Sequence, residues 1–125
     1  MGSVALDASV AIGFLDPSDA HHECAVASLR ELDRSDLMMP ASAYSETLVR
    51  PLEVGHGELV ERFVDGLRVE IVPLDREIAR HAAALRAEHR ALRLPDALVL
   101  ATARRHEAGL LTYDERLADL ADSTI

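Results

Sequence analysis

The sequence has no lysine and no tryptophan, one cysteine, and only two tyrosines and two phenylalanines in 125 residues. Each shortage excludes something. Without lysine, phosphate loops that close a glycine-rich turn with an ammonium group are ruled out, and no such turn is visible. A single cysteine, Cys24, cannot form an internal disulfide and suits a reducing compartment. With so few aromatic rings the core must be aliphatic, built from Leu, Val, Ile and Ala. No apolar run approaches the ~20 residues of a membrane-spanning helix. The N-terminus lacks the basic-then-apolar layout of a signal peptide. Met1-Gly2-Ser3 opens like an acylation site but puts Leu6 where serine or threonine is required. These features predict a soluble cytoplasmic protein of one domain, residues 1–125, large enough for one real core.

Charge is one-sided. All 13 basic residues are arginine, against 22 acids, for a formal net charge of −9. Most of such a surface repels nucleic acid, which argues against a plain electrostatic DNA or RNA binder. Any phosphate bound here must be held by arginine or by a metal.

What is present is a regular alternation. Residues 3–6 form a short apolar run that predicts a buried strand, and residues 8–15 carry helical spacing. Helical period returns over 17–32, followed by the strand "DLMMP" (36–40). Residues 41–55 read as a helix that Pro51 ends or kinks. A short helix at 58–67 leads to the strand "VEIVPL" (69–74). Residues 75–93 make an amphipathic helix with Ile78, Ala82 and Leu85 on one face. Pro95 starts a helix that runs to 108 and is capped by Gly109. The strand "GLLTYD" (109–114), a helix at 115–122 and the start of a fifth strand at 123–125 complete the chain. Strands that are continuously apolar and alternate with helices belong to a parallel sheet covered on both faces. The expected fold is a three-layer α/β/α sandwich with a mostly parallel central sheet.

Four acids stand out against this frame. Asp7 ends the first strand and Asp114 follows the fourth, where ligands bind in open parallel sheets. Glu46 lies well inside its helix, beside Tyr44, Leu48 and Val49. Asp96 is one residue past Pro95. Each has an ordinary explanation. Asp7 and Asp114 can cap the helices that follow, the latter with help from Thr112. Asp96 can complement a helix dipole, and Glu46 can point at water. Gathered in one pocket, however, carboxylates repel and raise one another's pKa. A hard divalent cation relieves that repulsion, and an all-oxygen set suits Mg²⁺ or Mn²⁺ better than Zn²⁺.

The blocks "LDASVAIGFLD", "PASAYSETLVRP", "LRLPDALVLATA" and "LLTYDERL", in this order and spacing, resemble the PIN-domain nucleases, and in particular the VapC-type toxins of bacterial toxin–antitoxin pairs. The resemblance spans essentially the whole chain. It implies a Mg²⁺-dependent endoribonuclease (Mn²⁺ as the alternative ion) with a catalytic quartet at Asp7, Glu46, Asp96 and Asp114. Asp7, Asp96 and Asp114 would hold metal, Glu46 would act through water or as a base, and Ser9 and Thr112 would support them. Hydrolysis would leave a 5′-phosphate and a 3′-hydroxyl. The implied partners are an RNA substrate such as tRNA or rRNA, a cognate antitoxin that plugs the acidic pocket with Arg or Lys, and a second copy in a homodimer. Tyr113 departs from the pattern, following Thr112 where a small residue is common. Arg50, Arg104 and Arg105 are candidate contacts to RNA.

Other signals are discounted. Adjacent histidines in "HHEC" (residues 21–24) diverge by about 100° on a helix, which disfavours a zinc site. A surface helix with Cys24 buried is the expectation. "RAEHRALR" is a charged helix face, and Ala79, Ala83 and Ala87 mark a packing surface, with a weak hint of a subunit contact. Two rival functions stay open. One is an inactive PIN scaffold that acts by protein binding. The other is a phospho-accepting receiver domain, against which the missing lysine and the lone acid at the first strand both count.

Overall fold

The computed structural model describes residues 2–122. The alternation predicts the architecture correctly. Four strands, β1 (Ser3–Leu6), β2 (Asp36–Pro40), β3 (Glu70–Val72) and β4 (Gly109–Leu111), form one sheet in the order β3-β2-β1-β4. Every pairing is parallel: Val4 lies opposite Leu37 and Gly109, and Met38 opposite Glu70. Seven helices connect them among the described residues: α1 (Ala8–Leu15), α2 (His22–Glu31), α3 (Ala41–Glu53), α4 (Gly57–Gly66), α5 (Arg76–Glu88), α6 (Leu94–Arg105) and α7 (Glu115–Asp122).

The chain moves from β1 through β2 to β3 in one direction, then returns past β1 to β4. Right-handed crossovers that travel in opposite directions place their helices on opposite faces of a sheet. The packing follows this division. Helix α1 contacts α2, α3 and α4, while α6 contacts α5, α7, β1, β2 and β4 and also meets α3 from the other group. A receiver domain has the strand order 2-1-3-4-5, so the observed order removes that reading. The expected fifth strand at 123–125 lies outside the described residues.

Helix α6 occupies the centre. Asp96, Ala97, Val99, Leu100, Ala101, Thr102 and Ala103 are all buried, which is the pattern of a helix enclosed on every side. The core is aliphatic, as predicted, with Leu6, Met39, Ile78, Leu100 and Leu117 among its fully buried side chains. Phe63 is its one large ring, tilted against half-buried Phe14 at 5.3 Å.

Several boundaries differ from those predicted, each for a local reason. Helix α2 starts at His22 rather than Pro17, because the Asp16 carboxylate accepts from the Ser18 N–H and the Asp19 carboxylate from the His21 N–H. Such bonds compete with a helical turn. Pro51 does not end α3, which runs on to Glu53. Its missing N–H forfeits a single intrahelical bond, to the carbonyl four residues back, and the helix closes two residues later. Helix α5 stops at Glu88, five residues early. Helix α6 stops at Arg105, and its cap is Glu107, not Gly109. Glu107 takes a left-handed φ of 52°, and Ala108 N donates to Ala103 O at 2.8 Å. Arg68 closes α4 in the same way, with φ 53° and Val69 N bonded to Val64 O. Both are Schellman caps built without glycine.

Two further expectations are corrected. Cys24 is exposed on α2; Ala25 and Leu29 fill the buried positions. Ala79, Ala83 and Ala87 are exposed, because α5 packs through Ile78, Ala82 and Leu85 instead. Glu46 is an exposed residue despite its apolar sequence neighbours, among which Val49 is 59% exposed.

Candidate metal centre

The topology leaves a crevice at the carboxyl ends of β1 and β4, where the chain direction reverses and ligands characteristically bind. Asp7 leaves β1 at this point, and its N–H donates to Leu111 O at the end of β4. Asp7 holds the N-cap position of α1 but makes no side-chain capping bond. Its carboxylate turns to two hydroxyls instead. Ser9 Oγ donates to Asp7 Oδ2 at 2.9 Å and Thr112 Oγ1 donates to the same oxygen at 2.7 Å. Each hydroxyl in turn accepts a backbone N–H, from Tyr113 at 3.1 Å and from Asp114 at 3.1 Å. Because an amide can only donate, each hydroxyl has its one hydrogen left for Asp7. The network therefore holds Asp7 as an acceptor, with only 6% of the residue exposed.

Asp96 comes from the opposite side, in the first turn of α6. Enclosure of that helix leaves it 8% exposed, so solvation by water does not explain it. Arg93, at the N-cap position of α6, donates from Nε to Asp96 Oδ2 at 3.2 Å. Burial pushes the Asp96 carboxyl above the usual carboxylate range, and the charges of Asp114 and Asp7 push the same way, against the pull of Arg93. Glu46 behaves alike. Partial desolvation of its carboxyl raises its pKa, with the charges of Asp7 and Asp96 adding to the effect. Asp114 does cap its helix, accepting at Oδ1 from Arg116 N at 2.9 Å and Leu117 N at 3.2 Å. It also lines a cleft of about 490 Å³ with Asp96, Arg93, Arg116 and His89.

The structure thus places Glu46 within electrostatic reach of Asp7 and Asp96, and Asp96 within reach of Asp7 and Asp114, while Glu46 lines a groove separate from the cleft of Asp96 and Asp114. Of the two capping explanations, that for Asp114 holds and that for Asp7 does not. Among the described residues, no three His, Cys, Asp or Glu side chains are arranged to hold a metal ion by themselves. Asp7 is bonded to its two hydroxyls, Asp96 to Arg93 and Asp114 to the α7 amides. The donor set still fits a hard cation. Mg²⁺ is commonly held by one or two carboxylates, with water and substrate phosphate filling its octahedron. Burial first, and neighbouring carboxylates second, raise the pKa of Glu46 and of Asp96, and a nearby positive charge would oppose both effects.

The arginines sort differently from expectation. Arg104 and Arg105 lie at the far end of α6, eight and nine residues from Asp96, or ~12 Å along the axis. Arg105 is paired with Glu77 at 2.7 Å. Arg50 shares a groove with Glu46 and Asp16. The arginine that meets the acids is Arg93, which sequence reasoning missed. The signal was its place three residues before Asp96, across the turn that Pro95 opens. The histidines of "HHEC" are otherwise engaged: His22 Nδ1 is 2.8 Å from the Gly13 carbonyl, and the His21 ring stacks on Tyr113.

Comparison with known proteins agrees with the geometry. A PIN-domain family model matches residues 4–123. No curated protein sequence matches. Among solved structures, a toxin–antitoxin complex from Klebsiella pneumoniae is similar at 24% identity and TM-score 0.70, covering 90% of this chain and 88% of that one. VapC20 of Mycobacterium tuberculosis, titled a sarcin–ricin loop cleaving toxin, is similar at 15% identity and TM-score 0.76, covering 94% of each chain. VapBC2 of Rickettsia felis, bound to a DNA fragment from its promoter, is similar at 13% identity and TM-score 0.77, covering 94% and 92%. With the family match running nearly end to end and the sheet order and acidic crevice in place, this chain belongs to the PIN-domain family.

Proposed function

We propose that this chain is a Mg²⁺-dependent endoribonuclease and the toxin of a type II toxin–antitoxin pair. The observation that supports this reading is the electrostatic coupling of the four acids, Glu46 to Asp7 and Asp96, and Asp96 to Asp7 and Asp114, with Glu46 and Asp96 raised in pKa first by burial and then by these charges. In it, Asp7 and Asp96, with Asp114, hold the cation, and Mn²⁺ serves as the alternative ion. A bound divalent ion would neutralise phosphate charge and lower the pKa of an attacking water. Glu46, at the rim, has the raised pKa of a group able to take a proton from that water. Ser9 and Thr112 keep Asp7 oriented.

The chain's own cations then bind the RNA backbone. Arg93 and Arg116 line the cleft beside Asp96 and Asp114, and a guanidinium pairs well with a phosphate. This local basic edge answers the objection raised by the overall charge of −9.

The same crevice gives an antitoxin something to bind. A lysine or arginine entering it would meet the carboxylates of Asp96 and Asp114, and the structural neighbours include toxin–antitoxin complexes. A homodimer and a cytoplasmic setting belong to the same proposal; no helix among the described residues is long and apolar enough to cross a membrane. The test is incubation with total tRNA and rRNA plus Mg²⁺, followed by mapping of the cut ends. Cleavage that leaves 5′-phosphates and is lost in Asp7→Asn and Asp96→Asn is expected. If wild type cuts nothing but still binds an antitoxin, the inactive scaffold is the correct reading.

A further inference from the structure

Two features left unused by the nuclease reading meet at one place: the "HHEC" histidines and the unusual Tyr113. The His21 ring stacks on the Tyr113 ring with centroids 4.9 Å apart and planes inclined by 14°. The inner ring is pinned. Tyr113 Oη lies 3.2 Å from Ser28 Oγ on α2, and its backbone N–H bonds to Ser9 Oγ, which itself serves Asp7. The outer ring is steered by Asp19, whose Oδ1 accepts the His21 N–H at 2.8 Å and lies 3.7 Å from His21 Nδ1. One face of the imidazole is covered by tyrosine, yet 51% of the His21 side chain remains exposed. The stack lines a recess of about 280 Å³ together with Thr112, Asp114 and Glu115.

Asp114 is shared between this recess and the cleft that holds Arg93 and Arg116. The acidic crevice therefore has a guanidinium edge on one side and a flat aromatic surface on the other. Single-stranded nucleic acid is bound by this combination of backbone-tracking cations and rings on which bases stack. We propose that His21, stacked on Tyr113, is a positioning residue for RNA, supplying a surface for an unpaired nucleobase adjacent to the scissile phosphate. The proposal rests on the reading of the crevice as a ribonuclease site. It extends that reading by requiring the base next to the cut to be unstacked from its own strand. Because every base has a π-face, the preference is for unpaired over paired RNA rather than for one base identity.

The test uses the full chain carrying Asp7→Asn, which leaves RNA intact, and a uridine oligoribonucleotide with one 2-aminopurine. Stacking on His21 is expected to quench the 2-aminopurine on binding. Adding His21→Ala should weaken binding by about five- to a hundredfold, the range of single base–aromatic stacks, and abolish the quenching. His21→Phe should restore both. In the catalytically intact chain, His21→Ala should raise KM for single-stranded RNA far more than it lowers kcat. A merely structural stack would instead move the melting temperature and leave binding, quenching and KM in place.

The two readings fail separately. His21-dependent quenching without cleavage by wild type sinks the nuclease and keeps the stacking surface. Cleavage with a KM and quenching indifferent to His21→Ala sinks the stacking surface and keeps the nuclease. No binding by the Asp7→Asn parent overturns the stacking proposal.

Discussion

Thr112 Oγ1 donates a 2.7 Å hydrogen bond to Asp7 Oδ2, tying together residues 105 positions apart in sequence. The bond bridges the ends of β1 and β4 at the one point where the chain reverses its course through the sheet. It also fixes direction. Thr112 Oγ1 accepts from Asp114 N, so its hydrogen must go to Asp7. A single hydroxyl thus orients one acid of the site and shapes the loop that carries another.

Thr112→Val is therefore expected to cost more than its buried volume suggests. The substitution keeps the shape but leaves the Asp114 N–H without its acceptor and Asp7 with one donor fewer. Losing a partner from a part-buried polar group costs ~1–3 kcal/mol. Denaturant unfolding should show that loss. Cleavage of RNA should fall by about tenfold or more while the fold persists, and Thr112→Ser should recover most of both. A Val variant with wild-type stability and activity would show that the bond is incidental.

The raised carboxylates make a prediction about pH. Glu46 and Asp96 bind protons more tightly in the folded chain than in the unfolded one. Between the ordinary carboxylate range and the raised folded values, the native state therefore carries more protons. Stability must fall as pH rises through that window and stay reduced above it. Glu46→Gln removes one of these charges. It should raise the melting temperature at pH 7 by about 1–3 °C, a modest effect because solvent screens the exposed side chain. The difference should vanish below the ordinary carboxylate pKa. A Gln variant less stable than wild type at pH 7 would contradict the shift. Function at the expense of stability is a common pattern at such sites.

Most of the fold was legible because its strands are apolar on both faces and its central helix, α6, is apolar nearly all round. Those patterns depend only on burial. The four acids were legible because two of them follow strands, and one sits in a helix that has no other use for a charge. Helix ends were less so. Asp16 and Asp19 intercept backbone amides before α2 begins, and Glu107 and Arg68 adopt left-handed caps that sequence assigns to glycine. Side-chain choice of partner was hardest. Arg93 reaches Asp96 three residues on, within its own turn, whereas Arg105 reaches Glu77 on another helix, a pairing that only the packing of α5 against α6 decides. The His21–Tyr113 stack joins residues from opposite ends of the chain, and nothing local announces it.

Arg93 separates two kinds of binding. Its Nε lies 3.2 Å from Asp96 Oδ2, where it lowers the Asp96 pKa and competes with any cation for that oxygen. Arg93→Met removes the competitor and a nearby positive charge. Mn²⁺ affinity, read by calorimetry, should rise several-fold. RNA affinity should fall, and the slope of log affinity against log salt should shrink by about one, as for a single lost phosphate contact. If Mn²⁺ and RNA affinity fall together, the arginine organises the acids rather than competing for them.

Asp114 has two duties that a pair of substitutions can part. Its Oδ1 caps α7 by accepting from Arg116 N and Leu117 N, and its charge contributes to the raised pKa of Asp96. Asparagine caps as well as aspartate, whereas alanine does not cap at all. Asp114→Asn should therefore keep nearly wild-type stability, and Asp114→Ala should lose ~1 kcal/mol in denaturant unfolding. Both should lower the Asp96 pKa, read by carboxyl-carbon NMR titration, because both remove the same negative charge. If the acid works at the metal, both should also lose RNA cleavage to a similar extent despite their different stabilities. Activity that survives in the asparagine variant and falls only in the alanine variant would assign Asp114 to the helix cap alone, leaving Asp7 and Asp96 as the cation's carboxylates.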